Sequence, residues 1–335
     1  MPSTRRAAAA IVGAAVLTAL AAALALSLGS TTVGPAELVA WLGGQPVSAE
    51  TAAILAHVRL PRVAAALLAG SALAVAGFVT QTVLANPMAS PNVIGVNAGA
   101  GLLVLVAASL FPAATWLPPV AAFFGAFLSA LAVFALARGA RAGKLTIVLT
   151  GMALTAVATA GINVILIVNP DAYVGASRFL VGGLAGVMAG DLLLPGALIA
   201  IGLCAVIAGA RGLDVIQLGD AAAHGLGLGV RRFRLGMLAL AALLAGAAVS
   251  FAGLLGFVGL IVPHIARVLL RSGARAQLAL TALLGALFVC ACDLGARIAF
   301  APFEIPVGIV MAFLGGPFFV ALIVRSSRRG DVDGL

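Results

Sequence analysis

Charge is what this sequence has least of. Only 9% of its 335 residues are Asp, Glu, Lys or Arg, while 63% are apolar. Soluble domains carry about 25% charged residues. A soluble fold built from this chain would lack the polar surface needed to cover it. An ordinary cytosolic enzyme and a disordered chain are therefore excluded. Aromatic residues are also few, at 6%, and Gly is abundant, at 41. The apolar mass is mainly Ala, Leu, Val and Gly, which suits close packing of helices in lipid. The three cysteines, Cys204, Cys290 and Cys292, lie in apolar runs with no set of His nearby. They read as core residues rather than as a disulfide framework or a metal site. The chain also lacks a G-x-x-x-x-G-K-[ST] phosphate loop: Gly139 to Lys144 is too short and wrongly spaced. Any ATP hydrolysis must come from another subunit, and no cofactor is expected.

Long charge-free stretches are present instead. From Val63 to Ala137, 75 residues pass without Asp, Glu, Lys, Arg or His. A spanning helix needs about 20 apolar residues. The pattern predicts an all-α, polytopic chain with ten spans near 7–29, 61–83, 93–111, 118–137, 146–168, 190–209, 235–253, 256–272, 277–293 and 305–325. The chain reads as one transmembrane domain, 1–335. With the N-terminus inside, 15 of the 19 Lys and Arg fall in inside segments and 4 (Arg59, Arg62, Arg178 and Arg297) outside. This bias places both termini in the cytoplasm. It also accounts for the net charge of +9 without nucleic acid. The N-terminal apolar run resembles a secretory signal, but in a polytopic chain it is expected to stay as the first helix. Pro35 to Leu42 and Ala49 to Val58 read as short interfacial helices.

The sequence repeats itself at an offset of 176 residues. ALLAGSALAVAGF (Ala66 to Phe78) and ALLAGAAVSFAGL (Ala242 to Leu254) are identical at eight of thirteen positions, and Pro87 aligns with Pro263. The predicted topology puts the copies in opposite orientations, an inverted repeat of the kind found in transporters. Asn86-Pro87-Met88-Ala89-Ser90-Pro91-Asn92 cannot continue a regular helix. It is either a plain turn or a break lining a path. Gly95, Gly99 and Gly101 give the next helix a smooth face. Pro263, His264 and Arg267 follow a second Gly-rich stretch. His264, Arg267 and Arg271 are expected on one helical side, either as a snorkelling helix end or as a partner contact.

The longest cytoplasmic connection, 210–234, reads as short helices, with Asp214 and Asp220 as N-caps and Gly225 as an end. It is either a docking surface or a solvated linker. Asp293 and Arg297 are positioned to pair. Glu50, Asp171, Asp191 and Glu304 join Arg59, Arg62, Arg178 and Arg297 on the outside. Gly315-Gly316-Pro317 is expected to interrupt the last span.

These stretches resemble the permease subunits of bacterial ABC importers for iron–siderophore complexes, haem and cobalamin. The resemblance rests on Arg59-Leu60-Pro61-Arg62, Gly70 to Gln81, Asn86 to Pro91, Gly219-Asp220, Gly256 to Leu260 with Pro263-His264 and Arg267, and Glu304 to Gly308. It implies the type II ABC importer permease fold and a second permease chain, identical or related. Two ATP-binding subunits would dock on Leu218, Gly219, Asp220, Ala222, His224, Leu226 and Gly227. A periplasmic or lipoprotein substrate-binding protein would meet Arg59 and Arg62. Asn86, Pro87 and Met88, with Thr146 and Thr150, are implied for the translocation path or gate. Met88 stands where the family usually has Leu, a volume-conserving change.

Scarce interior charge suits a bulky metal chelate that must slip through. Bare ferric ions would want convergent carboxylates or imidazoles. The expected function is ATP-driven import of a metal chelate by alternating access, with a ferric siderophore as first choice and haem or cobalamin as alternatives. An ion-coupled secondary transporter is disfavoured because the spans hold few ionisable groups. A scaffold or lipid-processing enzyme is disfavoured because no nucleophile–base–acid set is visible.

Overall fold

A computed structural model describes residues 4–29, 33–139, 144–299, 301 and 303–328. Arg141 and Arg329 of the charge count lie outside them. Lipid offers the backbone no hydrogen-bond partners, so the apolar runs become helices. In order these are α1 (Thr4–Ser27), α2 (Pro35–Leu42), α3 (Ala49–Ala53) and α4 (Leu60–Leu84). A π-helical stretch, Ile54–Arg59, joins α3 to α4 without a break. Next come α5 (Val96–Leu110), α6 (Leu117–Gly139), α7 (Lys144–Val168), α8 (Asp171–Val181) and α9 (Ala189–Ala208). The remainder are α10 (Ala210–Ile216), α11 (Asp220–Gly225), α12 (Val230–Ala252), α13 (Val258–Leu269), α14 (Ala274–Ile298) and α15 (Val307–Arg328).

Every expected span coincides with a helix, yet only seven of these helices have the length and composition to cross a bilayer among the described residues. The apolar stretches Val96–Leu110, Val258–Leu269 and Val307–Leu322 are shorter. At 1.5 Å per residue, the 12 residues of α13 rise only about 18 Å, against a hydrocarbon core of about 30 Å. The reason is local. A 3₁₀ turn, Pro91–Ile94, occupies the start of the expected third span. Gly253 and Phe257, both at positive φ, turn the chain before α13. The last span differs in the other direction, because α15 runs through Pro317 without interruption.

α4 is the centre, packed against α12, α13 and α14, and twenty of its residues from Pro61 to Leu84 are buried. Its glycines set the spacing. A methyl on Gly70 would overlap the backbone of Gly285 in α14, and one on Gly77 would overlap the backbone of Gly259 in α13. Gly99 of α5 meets Gly125 of α6 in the same way. Such approaches give backbone-to-backbone dispersion contact that larger residues forbid. Cys290 and Cys292 are buried, as expected; Cys204, read as a core residue, is exposed on α9. α9 is apolar and of spanning length, so a weakly polar thiol is tolerated on its exposed face.

Candidate functional site: two charged ends and a broken centre

At one end, the start of α4 meets the ends of α1 and α14. Arg62 Nε donates to Asp293 Oδ1 at 3.1 Å and to Oδ2 at 3.0 Å, and its Nη1 donates to Glu304 Oε2 at 2.7 Å. Arg297 Nε lies 3.3 Å from Asp293 Oδ2, so the expected i,i+4 pair forms. The pair is not a surface pair: Asp293 is 2% exposed and Arg297 5%. Arg59 Nη1 donates to the carbonyls of Leu26 and Ser27 at 2.6 and 2.8 Å. Arg297 donates to those of Ala25 and Leu28. Two guanidinium groups thus cap the carbonyl end of α1, where the helix dipole is negative.

The sequence placed Arg59 and Arg62 on an outer face for a partner protein. The structure puts them inside, at 4% and 8% exposure. Charges on helices that pack this closely must find partners within the bundle. What remains exposed at this end is Glu50, Asp171, Arg178, Asp191 and Glu304. Asp171, Arg178 and Asp191 line an open cleft of about 600 Å³ with Trp116 and Phe251. A stitch closes the cleft's inner side. Gly183 N donates to Ala252 O, Leu254 N to Phe179 O, and Gly308 N to Gly182 O.

Towards the far end of α4 the two breaks meet, with Pro91 beside Gly259. The Asn86–Met88 turn closes on itself, with Met88 N donating to Asn86 Oδ1 at 2.8 Å. Ala85 before it is left-handed, with φ 49. The 3₁₀ turn that follows reaches inward: a methyl on Gly259 would press Pro91 Cδ at 3.1 Å, and one on Gly151 would overlap Val93 O. Gly151 adjoins Thr150, so the first turns of α7, with Thr146 and Thr150 half-buried, pack on this break. Gln81 ties α4 to the other break. Its Nε2 donates to Gly259 O at 3.0 Å, satisfying a carbonyl at the start of α13. Its Oε1 accepts from Arg267 Nη2, and the Arg267 guanidinium lies 5.9 Å from the Phe78 ring centre. Arg267 therefore does not snorkel. His264 turns its ring edge to Phe318 at 6.0 Å. Arg271 falls beyond α13, off the helical side it was expected to share. Gln81 was missed as an organising residue; its only sequence signal was a lone amide in an otherwise apolar span.

At the opposite end, 210–234 forms a knob. Asp214 does not cap its own helix; its Oδ1 accepts from Ala274 N at 2.7 Å, capping α14. Asp220 is clamped by Arg234, whose Nη2 donates to both carboxylate oxygens at 2.8 Å. Lys144 stands 3.7 Å away. The Arg234 hydrogen bonds hold the Asp220 carboxyl below the usual carboxylate range, against the opposing effect of burial. Gly219 (φ 96) and Gly227 (φ 84) bracket α11, conformations that glycine adopts without strain. Ala223 is fully buried beneath α11. Leu218 and Leu226 are 64% and 66% exposed on either side of it, and Ala222 and His224 are exposed as well. All seven residues singled out in sequence therefore belong to one small protrusion with two apolar tips. Among the described residues no group of three or more His, Cys, Asp and Glu could hold a metal ion.

The helical bundle, its broken centre and its protruding knob define a multi-pass membrane permease. The chain belongs to the FecCD transport family, whose profile matches residues 17–325. It is 36% identical over 279 residues to the hemin transport system permease of Yersinia pestis, covering 82% of this chain and 84% of that protein. It is 35% identical over 318 residues to an Fe(3+)-citrate import system permease of Bacillus subtilis, covering 94% of each. A solved metal-chelate-type ABC transporter in an inward-facing conformation has the same fold, with TM-score 0.85 and 24% identity over 94% of this chain and 98% of that one. Permeases of this family work with ATP-binding subunits, a substrate-binding protein and often a paired permease. This chain is accordingly a transport subunit of that family.

Proposed function

We propose that this chain is half of a paired permease that carries a ferric siderophore from a binding protein into the cytoplasm by alternating access. The observation that carries the reading is the knob. A rigidly clamped helix with exposed leucines is the fitting device for a subunit that must receive force from a separate ATPase. Leu218, Gly219, Asp220, Ala222, His224, Leu226 and Gly227 form its contact surface, within the coupling segment 210–234 of a single permease domain. The end bearing the knob is cytoplasmic, with both termini, in line with the 15-to-4 distribution of Lys and Arg.

The chain crosses the membrane ten times as an inverted repeat, with the Asn86 to Ile94 break and α13 as corresponding segments. α4 and α12 carry the two repeat copies. The Asn86, Pro87 and Met88 turn, with Thr146 and Thr150, forms the inner gate. Pro263, His264 and Arg267 hold the second break in register. The binding protein meets the exposed charges around Asp171, Arg178, Asp191 and Glu304. Arg59 and Arg62 serve that surface from beneath by fixing α1 and Glu304. Haem is the second reading, favoured by the identity to the hemin permease.

The test is uptake into liposomes holding the chain with its ATPase and its loaded binding protein. Ferric siderophores, haem and cobalamin are offered in turn. Accumulation of a siderophore that stops without ATP is expected. Accumulation of haem alone would move the assignment to the second reading, and ATP-independent, ion-driven uptake would overturn it.

A further inference from the structure

A slot opens between the apolar spans α6 and α12, near the knob. Its volume is about 520 Å³. Leu131 and Phe134, three apart on α6, form one wall. Leu235, Gly236 and Ala239 form the other, on the same stripe of α12 as Arg232. Gly236 makes the opening, since a methyl there would meet nothing within 4 Å. From Arg232 to Ala239 the slot runs about 10 Å along the helix. That is the length of the first half of an acyl chain.

Arg232 closes the mouth. It is exposed, only two residues past the first residue of α12, and no acidic side chain pairs with it among the described residues. It also borders the neighbouring cleft of about 660 Å³ that holds Arg231, Asp220 and His224. The one carboxylate in that cleft, Asp220, is already clamped by Arg234. An uncompensated cation above an apolar slot at the end of a membrane span matches one chemistry, a phosphodiester joined to an acyl chain. We propose that this slot is a binding site for an anionic phospholipid, with the chain against Phe134, Gly236 and Ala239 and the phosphate on Arg232. A headgroup held there would lie beside α11, so membrane composition would bear directly on the knob. The site depends only on the chain lying in a bilayer, so its failure would leave the importer assignment untouched.

The test is native mass spectrometry of the full chain, delipidated in detergent and titrated with phosphatidylglycerol or phosphatidylcholine of identical chains. One phosphatidylglycerol is expected to bind in preference. Arg232→Gln should weaken it about fivefold, the worth of one juxtamembrane cation, and narrow its preference over phosphatidylcholine, whose choline already offsets its phosphate. Gly236→Leu, a substitution favourable to helix and clear of neighbours, should lower occupancy by both lipids. Should it fail to fold, Ala239→Phe fills the same slot from one turn deeper. An unchanged lipid preference in Arg232→Gln would overturn the headgroup assignment. Displacement of phosphatidylglycerol by an equal concentration of glycerol phosphate would overturn the lipid in favour of a simple phosphate site.

Discussion

Replacing Asp293 by Ala tests the charge network most directly. Two guanidinium groups converge on this carboxylate: Arg62 at 3.0 Å and Arg297 at 3.3 Å. Both arginines are less than a tenth exposed. Without Asp293, Arg62 keeps Glu304, but Arg297 keeps only the carbonyls of α1. Removing one partner of a buried pair costs about 3–5 kcal/mol, since the remaining charge is left uncompensated. Glu304 has a side chain 38% exposed, so Glu304→Gln should cost no more than about 1 kcal/mol. Reversible unfolding of the purified chain by SDS in mixed micelles reads the difference. Asp293→Ala should fall at least threefold further in free energy than Glu304→Gln. The double variant Asp293→Ala/Arg297→Met should recover part of the loss, because the stranded cation is gone. Equal costs for the two single variants, or no recovery, would refute the account of this network as a compensated buried cluster.

Gly77→Val drives a side chain into the backbone of Gly259; it should abolish uptake and lower stability by roughly 1–3 kcal/mol, as overpacking does, read by the same unfolding titration. Gln81→Leu strips the start of α13 of a donor and Arg267 of its acceptor, so uptake should fall while the chain still inserts, checked by membrane fractionation beside transport. Leu226→Asp on the exposed tip of the knob should leave stability unchanged and uncouple ATP hydrolysis from uptake. Asp220 has its carboxyl pKa pulled below the ordinary 3.8 by Arg234. Its pair is therefore complete above about pH 4 and lost only as the pH falls through the lowered value. The wild type should keep its ATPase partner in pull-downs down to pH 5, and Asp220→Asn should bind it more weakly at every pH above that.

Spans and knob were legible because their signals are local. Hydropathy needs no knowledge of neighbours, and the seven knob residues lie within ten positions of one another. Lengths were less legible. Hydropathy started the third span at 93 and the eighth at 256, inside the ends of Pro91–Ile94 and Gly253–Phe257, because Val93, Ile94, Gly256 and Phe257 are themselves apolar. Arg59 and Arg62 were misplaced for a different reason. Their partners lie far off in sequence: Arg62 reaches Asp293 across 231 positions. Nothing short of the packing of α1, α4 and α14 distinguishes a surface arginine from a buried one. Asp214 was read correctly as a cap and assigned to the wrong helix, since the helix it caps begins 60 residues later.

The span from Arg62 to its acids also orders the making of the protein. Asp293 and Glu304 follow Arg62 by 231 and 242 positions, so they are made long after it. Until then Arg62 sits among the first helices without either of the two acids it pairs with. A chain cut short before α14 would hold an unbalanced charge at the most buried helix of the bundle. The seating of the first helices therefore waits on α14: Arg62 gains its electrostatic partners only when that later helix packs beside α4.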